Sequence, residues 1–312
     1  MNFRVTGNMM FRRLMTNVRT SARDIGVLQE QMVTLRRINR PSDDPVGIGK
    51  AQVLRNSESD YKQYITNIEG ARSVLDFTAS TLQSMSEQIV GVRSKVMEAV
   101  SSSADSVSRQ VAAREVDDIL RSIFGEANSS FAGMFIFGGT ETGSPPFSID
   151  HETSNGVEHV GFSGNTQQMR YVVGPGHTTA INENPVQVFM PAGEADGLFQ
   201  TLIDVRKLLQ NEAGLSDNEQ AGRLSENLAR LDAVHDDIVA SLGRVGARGK
   251  ALRARMDLYQ MAQIAATEMR SEIEDADVAD VALRLQNKQI AFEVILAGSS
   301  AIYKTNLLDF LK

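Results

Sequence analysis

Hydrophobic positions recur at helical spacing over most of the chain. Phe11, Leu14, Val18, Ser21, Ile25, Leu28, Met32 and Leu35 follow alternating steps of three and four, with one polar exception. Ile68, Ala71, Leu75, Thr78, Leu82, Met85, Ile89, Val92 and Val96 repeat the pattern. Stripes of this length, close to a 3.5-residue period, predict helices that pack lengthwise on other helices. A third helix is expected near Ala112–Asn128, with Val116, Leu120 and Ile123 on one face. Later in the chain the pattern predicts helices over Leu198–Gln210, Asn218–Val245, about Lys250–Ile273, and Val278 to about Tyr303. Ser216 and Glu219 form a candidate capping box opening the second of these. Its stripe is Leu224, Leu228, Leu231, His235, Ile238 and Leu242. The last helix carries Val281, Leu285, Phe292, Leu296 and Ile302, and Lys288 and Gln289 interrupt its seam.

Between the two helical arms the character changes. Five of the seven prolines and nine of the 24 glycines fall between Gly138 and Asp196. The runs Val157–Phe162, Met169–Val173 and Val186–Met190 are rich in β-formers and bounded by turn residues, so they read as short strands. The expected fold is mainly α: a long antiparallel helical bundle or coiled-coil rod built from both chain ends, with a small β-rich domain inserted. We expect residues 1–40 and 275–312 to form a terminal coiled-coil segment, 41–137 and 197–274 a helical rod, and 138–196 the β-rich insertion. A terminal stripe of eight positions buries too little apolar surface to offset the entropy of ordering some 25 residues. Such a helix is expected to need a partner.

Composition narrows the function. The 312 residues carry a net charge of −7 and contain no cysteine, which excludes disulfides and thiolate metal sites and argues against a nucleic-acid binder overall. Charge is nevertheless unevenly spread: residues 1–40 hold Arg4, Arg12, Arg13, Arg19, Arg23, Arg36, Arg37 and Arg40 against Asp24 and Glu30. Residues 271–312 hold seven acids and four bases. A basic N-terminal helix and an acidic C-terminal one can pair within a chain or between copies. Binding to anionic membrane or nucleic acid is the rival reading of the basic arm, but no aromatic residues interleave its charges. No window has the ~18–20 apolar residues of a membrane span, and no cleavable signal pattern opens the sequence, so export would use another route.

The residues point to no catalysis, cofactor or metal. His151, His159, His177 and His235 lack ligand spacing. Glu272–Asp277 is acidic, yet lacks the glycine and alternating oxygens of a calcium loop. Asp43 and Asp44, between Pro41-Ser42 and Pro45, read as acids at a helix start rather than as paired catalytic carboxylates. Gly174-Pro-Gly176 has no following Lys-Ser/Thr helix start that would make it a phosphate loop.

Two motifs carry a resemblance. Arg37-Ile38-Asn39-Arg-Pro-Ser-Asp43-Asp44 resembles the N-terminal motif of bacterial flagellins, roughly R-I-N-S-A-x-D-D. Ser271-Glu-Ile273-Glu274-Asp275-Ala276-Asp277-Val278 resembles their C-terminal R-I-E-D-A-D-Y. The resemblance covers about residues 1–137 and 198–312. Val33-Thr-Leu-Arg36 departs from the usual S-G-x-R, and Arg40 stands where Ser is common. Within the family, Phe131-Ala-Gly-Met-Phe-Ile-Phe-Gly-Gly-Thr140 and the ending Leu307-Leu-Asp-Phe-Leu-Lys312 are similar to the branch at the hook–filament junction. The resemblance implies a structural protein exported unfolded through the flagellar type III apparatus, and it implies neither a membrane nor a nucleic-acid partner. Implied partners are a hook-associated junction protein on one side, flagellin on the other, copies of itself in a ring, and an export chaperone on the C-terminal helix. The implied assembly seam is Phe11, Leu14, Val18, Ile25, Leu28, Met32 and Leu35 with Val281, Leu285, Phe292, Leu296 and Ile302. A short filament-forming flagellin and a secreted or signalling coiled coil are the alternatives.

Overall fold

The computed structural model describes residues 7–100, 105–190 and 197–310. The chain is mainly helical: α1 (Gly7–Thr34), α2 (Pro45–Val100), α3 (Ser106–Ala127), α4 (Pro185–Phe189), α5 (Leu198–Gln210), α6 (Asp217–Glu274) and α7 (Val278–Phe310). Between α3 and α4 lie β1 (Ser130–Phe131), β2 (Met134–Phe135), β3 (Phe147–Thr153), β4 (Gly156–Phe162), β5 (Arg170–Gly174) and β6 (His177–Ala180). They pair as three antiparallel hairpins, β1–β2, β3–β4 and β5–β6. The chain forms two compact units, Met1–Tyr61 with Met261–Lys312, and Lys62–Gln260.

The Lys62–Gln260 unit has a continuous apolar core. All nine positions of the Ile68–Val96 stripe are buried. They pack with Val116, Leu120 and Ile123 of α3 and with Leu224, Leu231 and Ile238 of α6, in one cluster. α2 and α6 also touch through Tyr64 and Tyr259, whose rings lie 5.3 Å apart, and through a 2.9 Å hydrogen bond between Ser86 and His235.

Isolated two-stranded hairpins are marginal in water, so the β segment needs other anchors. Phe189 provides one, meeting Phe137 (5.1 Å) and Phe147 (4.9 Å) edge-on and stacking on Phe199 (5.9 Å). Arg206 of α5 provides another. Its buried guanidinium donates to the Val157 carbonyl at 2.9 Å and to Glu158 at 3.0 Å, and it also reaches the Asn155 carbonyl. Burial raises the pKa of Glu158, but Lys207 and Arg206 outweigh it and leave the carboxyl below its ordinary value. A third anchor is the buried Glu183, which takes Arg244 at 3.2 Å and Arg248 at 2.8 Å from α6.

Two elements differ from the periodicity. Val186–Met190, expected as a strand, lies mostly in the short helix α4: the Asn184 side chain accepts from the Val186 N–H at 3.0 Å and Pro185 fills the first turn. The helix expected to stop at Val245 and restart at Lys250 is continuous. Gly243, Gly246 and Gly249 sit inside α6, and buried Val245 and Leu252 hold the helix through them. Of the expected capping box the Glu219 half is present, its carboxylate accepting from the Ser216 N–H at 3.1 Å and from the Ser216 hydroxyl at 2.7 Å.

Candidate assembly site

The candidate site is built in the other unit, where the two flagellin-like motifs meet although 226 residues, 45–270, lie between them. α1 ends at Thr34, and Leu35 turns the chain with φ +57°. That left-handed conformation costs a non-glycine residue on the order of 1–2 kcal/mol, so surrounding contacts must hold it. They do. The Leu35 carbonyl accepts from the Ala276 N–H at 3.0 Å, and the Arg37 N–H donates to the Glu274 carbonyl at 2.6 Å. The Arg37 guanidinium reaches the Ile273 carbonyl at 2.7 Å and Asp44 at 3.3 Å.

Each motif acid has its own task. Asp43 accepts from the backbone N–H of Asn39 (3.1 Å) and of Arg40 (2.8 Å), closing the turn. Asp44, directly before Pro45, accepts from the Gly47 N–H at 2.8 Å at the start of α2. That hydrogen bond, followed by Arg37, holds the Asp44 carboxyl below its ordinary pKa against the opposing effect of burial. Gly47 permits a close fit, because a Cβ there would lie 2.4 Å from the Asp44 carboxylate and 2.9 Å from the side chain of buried Ile38. Asp277 caps α7, accepting from Ala279 at 2.9 Å and Asp280 at 3.2 Å. Asp275 is bridged to Arg36 through the backbone.

Glu274 is the unusual member. Its side chain is 1% exposed at the C-terminal end of α6, where the helix dipole disfavours an anion. Arg55 of α2 pairs with one carboxylate oxygen and Arg270 lies 3.3 Å from the other. Arg270 also contacts Glu58 at 2.9 Å. Sequence reading missed Arg55, Glu58 and Arg270; the one local signal was the i,i+4 spacing of Arg270 and Glu274.

The expected seam runs along α1 and α7, which pack on each other. Leu14, Val18, Ile25, Leu28 and Met32 are half-buried, as are Leu285 and Phe292, and Val281 is buried. Leu35 lies past the end of α1 and is 55% exposed, and Leu296 is 45% exposed. The side chains of Phe11 and Ile302 lie outside the described residues. Lys288, which interrupts the apolar pattern, bonds Asp24 at 2.7 Å. α7 also shows apolar side chains to solvent on another face: Leu283, Ile290 and Val294. Among the described residues no group of three His, Asp or Glu side chains is placed to hold a metal, and no helix is long and apolar enough to cross a membrane.

The site is thus a pair of terminal helices joined by interlocking turns, with apolar side chains left exposed on α7. Residues 5–142 match the bacterial flagellin N-terminal helical region. The chain is 27% identical over 187 residues to flagellar hook-associated protein 3 of Salmonella typhimurium, covering 60% of this chain and 56% of that one. It is 26% identical to the protein of the same name from Escherichia coli, over 46% of each. The match thus spans about half the length of these curated relatives. Among solved structures, a putative flagellar hook-associated protein from Vibrio parahaemolyticus superposes with a TM-score of 0.66 at 20% identity, over 75% of this chain and all of that one. The flagellar junction protein FlgL from Legionella pneumophila gives 0.60 at 14% identity, over 72% and 100%. The chain is thus similar to the bacterial flagellins over its N-terminal helical region and, over about half of their length, to proteins named flagellar hook-associated protein 3.

Proposed function

We propose that this chain is a structural adaptor of the bacterial flagellum that joins the hook to the flagellin filament and assembles through its terminal helices. One observation carries the reading: the two flagellin-like motifs meet where α1 and α7 pair, and α7 leaves Leu283, Ile290 and Val294 uncovered. A helix apolar on two faces satisfies only one of them within the chain, so the other suits a neighbouring subunit. On this reading residues 1–40 with 275–312 are the assembly segment, 41–137 with 197–274 the helical body, and 138–196 the outward β-rich part. A hook-associated protein lies on the hook side, flagellin on the filament side, and copies of the chain form a ring. The protein leaves the cell through the flagellar type III apparatus, with a chaperone on its C-terminal helix, and its role is structural and not catalytic.

The test is a deletion strain of the source bacterium examined by electron microscopy. Hooks without attached filaments are expected, restored by the full gene but not by a version lacking residues 279–312. Normal filaments in the deletion strain, or full motility with the truncated gene, would refute the adaptor role.

A further inference from the structure

The α1–α7 seam holds little that fixes how far one helix may slide along the other. Its apolar members are mostly half-buried, Lys288 and Gln289 interrupt it, and its cross-helix ion pair, Asp24 with Lys288, lies between side chains 38% and 46% exposed. An exposed pair of this kind contributes at most about 1 kcal/mol. A heptad slip would exchange apolar residues for other apolar residues at modest loss. In coiled coils this ambiguity is removed by a buried polar group with one satisfactory arrangement.

The base of the seam has such a group. We infer that the buried Glu274 carboxylate, clamped between Arg55 and Arg270, is the element that sets the register of α1 against α7. Arg55 fixes the end of α6 against the beginning of α2, and the Arg270–Glu58 contact repeats that fixation one turn away. The Glu274 carbonyl then receives Arg37, the Ile273 carbonyl receives its guanidinium, and Leu35 receives Ala276. Leu35, directly after α1, and Ala276, in the turn before α7, are therefore placed from one point. Counting outward from it brings Asp24 opposite Lys288, the 2.7 Å contact observed. A carboxylate that is buried and at the wrong end of a helix dipole is a poor choice for stability alone, because an apolar residue of similar size avoids the desolvation. It is a good choice for permitting a single alignment, since any slip of the end of α6 along α2 parts Glu274 from Arg55 and leaves the buried carboxylate only Arg270 of its own helix, which is shared with Glu58. Glu274 is thus a positioning residue. The inference does not depend on what the assembled protein joins.

The chain has no cysteine, so register can be read in the full-length protein by disulfide trapping. Asp24→Cys with Lys288→Cys reports the observed alignment. Asp24→Cys with Val281→Cys, or with Ile295→Cys, reports a slip of seven residues, about 10 Å along the axis and beyond disulfide reach without movement. The observed pair should form at least ten times faster than either slipped pair. In a Glu274→Gln background this ratio should fall about tenfold, the effect expected of removing one charged partner from a buried network, while helix content stays unchanged. Arg55→Gln, at a more exposed site, should lower it less and decides the matter if Glu274→Gln does not fold. An Asp232→Asn control, breaking the exposed Arg93–Asp232 pair elsewhere, should leave the ratio alone. Trapping that shows no preference in the parent protein, or a ratio untouched by both latch variants, overturns the inference.

Discussion

The two compact units hold together by different means. In Lys62–Gln260 a stripe of nine positions is buried along its full length, and α3, α5 and α6 cover it. In the unit made of the two chain ends, the corresponding stripe on α1 is half-buried at best, and order concentrates in a turn rich in charges and backbone hydrogen bonds. The first arrangement opposes chain entropy chiefly by apolar burial, with Arg206 and Glu183 as polar anchors of the β segment. The second fixes geometry more than it supplies stability. The chain ends are thus closely aimed by the turn and incompletely covered along their stripe.

The sharpest way to break this comparison is to place a charge in each stripe. Leu82→Asp would bury an unpaired carboxylate in a fully closed core and should cost more than about 4 kcal/mol, enough to lower the main thermal transition by roughly 10 °C or more. Ile25→Asp, on the half-buried face of α1, should cost about 1 kcal/mol and leave the main transition nearly in place. Calorimetry of both variants reads the difference. Equal shifts would mean that the chain ends are as much a part of the stabilising core as α2 is.

A smaller effect is expected at the buried arginine of the β segment. Arg206→Ala removes the buried donor that serves Val157, Asn155 and Glu158, leaves Glu158 to Lys207 alone and takes a guanidinium away from Asp117. The loss should be about 3–5 kcal/mol, as for other broken buried pairs, and should appear as faster hydrogen exchange in β3 and β4. Substitution with unchanged exchange would show that the aromatic cluster around Phe189 is anchor enough.

How far these features were legible from sequence follows from their physical range. Helices whose stripe is buried throughout, such as that containing Ile68–Val96, announce themselves because burial and period coincide. Val186–Phe189 misled because β-branched content outweighed a local start signal, Asn184-Pro185, which acts over only one turn. The two helices expected over Asn218–Val245 and about Lys250–Ile273 are one, because a 58-residue helix pinned on both sides absorbs the penalty of Gly243, Gly246 and Gly249. The motif residues of the candidate site could be picked out, but their joint geometry could not. Arg55 and Glu58 look like ordinary charges on a helix surface, and nothing local says that a carboxylate 219 positions away from Arg55 will be buried against it.

The finest test of the comparison is protonation of Asp44, which probes the turn without disturbing either stripe. Its carboxyl is held below its ordinary value of 3.8 chiefly by the Gly47 N–H and then by Arg37. A carboxylate depressed in the folded state stabilises that state fully at pH values above the unfolded pKa, and loses the contribution as pH falls through the folded one. The capping contact should therefore be constant through neutral pH and weaken only below about pH 4. The Gly47 amide chemical shift, followed by NMR from pH 6 downward, should titrate with a midpoint under 3.8, and Asp44→Asn should abolish the titration while preserving the cap. Removing the charge also releases Arg37 on one side, leaving it bound to the Ile273 carbonyl. Motion at Gly47 should then precede any change at Leu82 as the solution is acidified. If both sites responded together at one pH, the turn and the apolar core would be a single cooperative structure, and the contrast between the two units would fail.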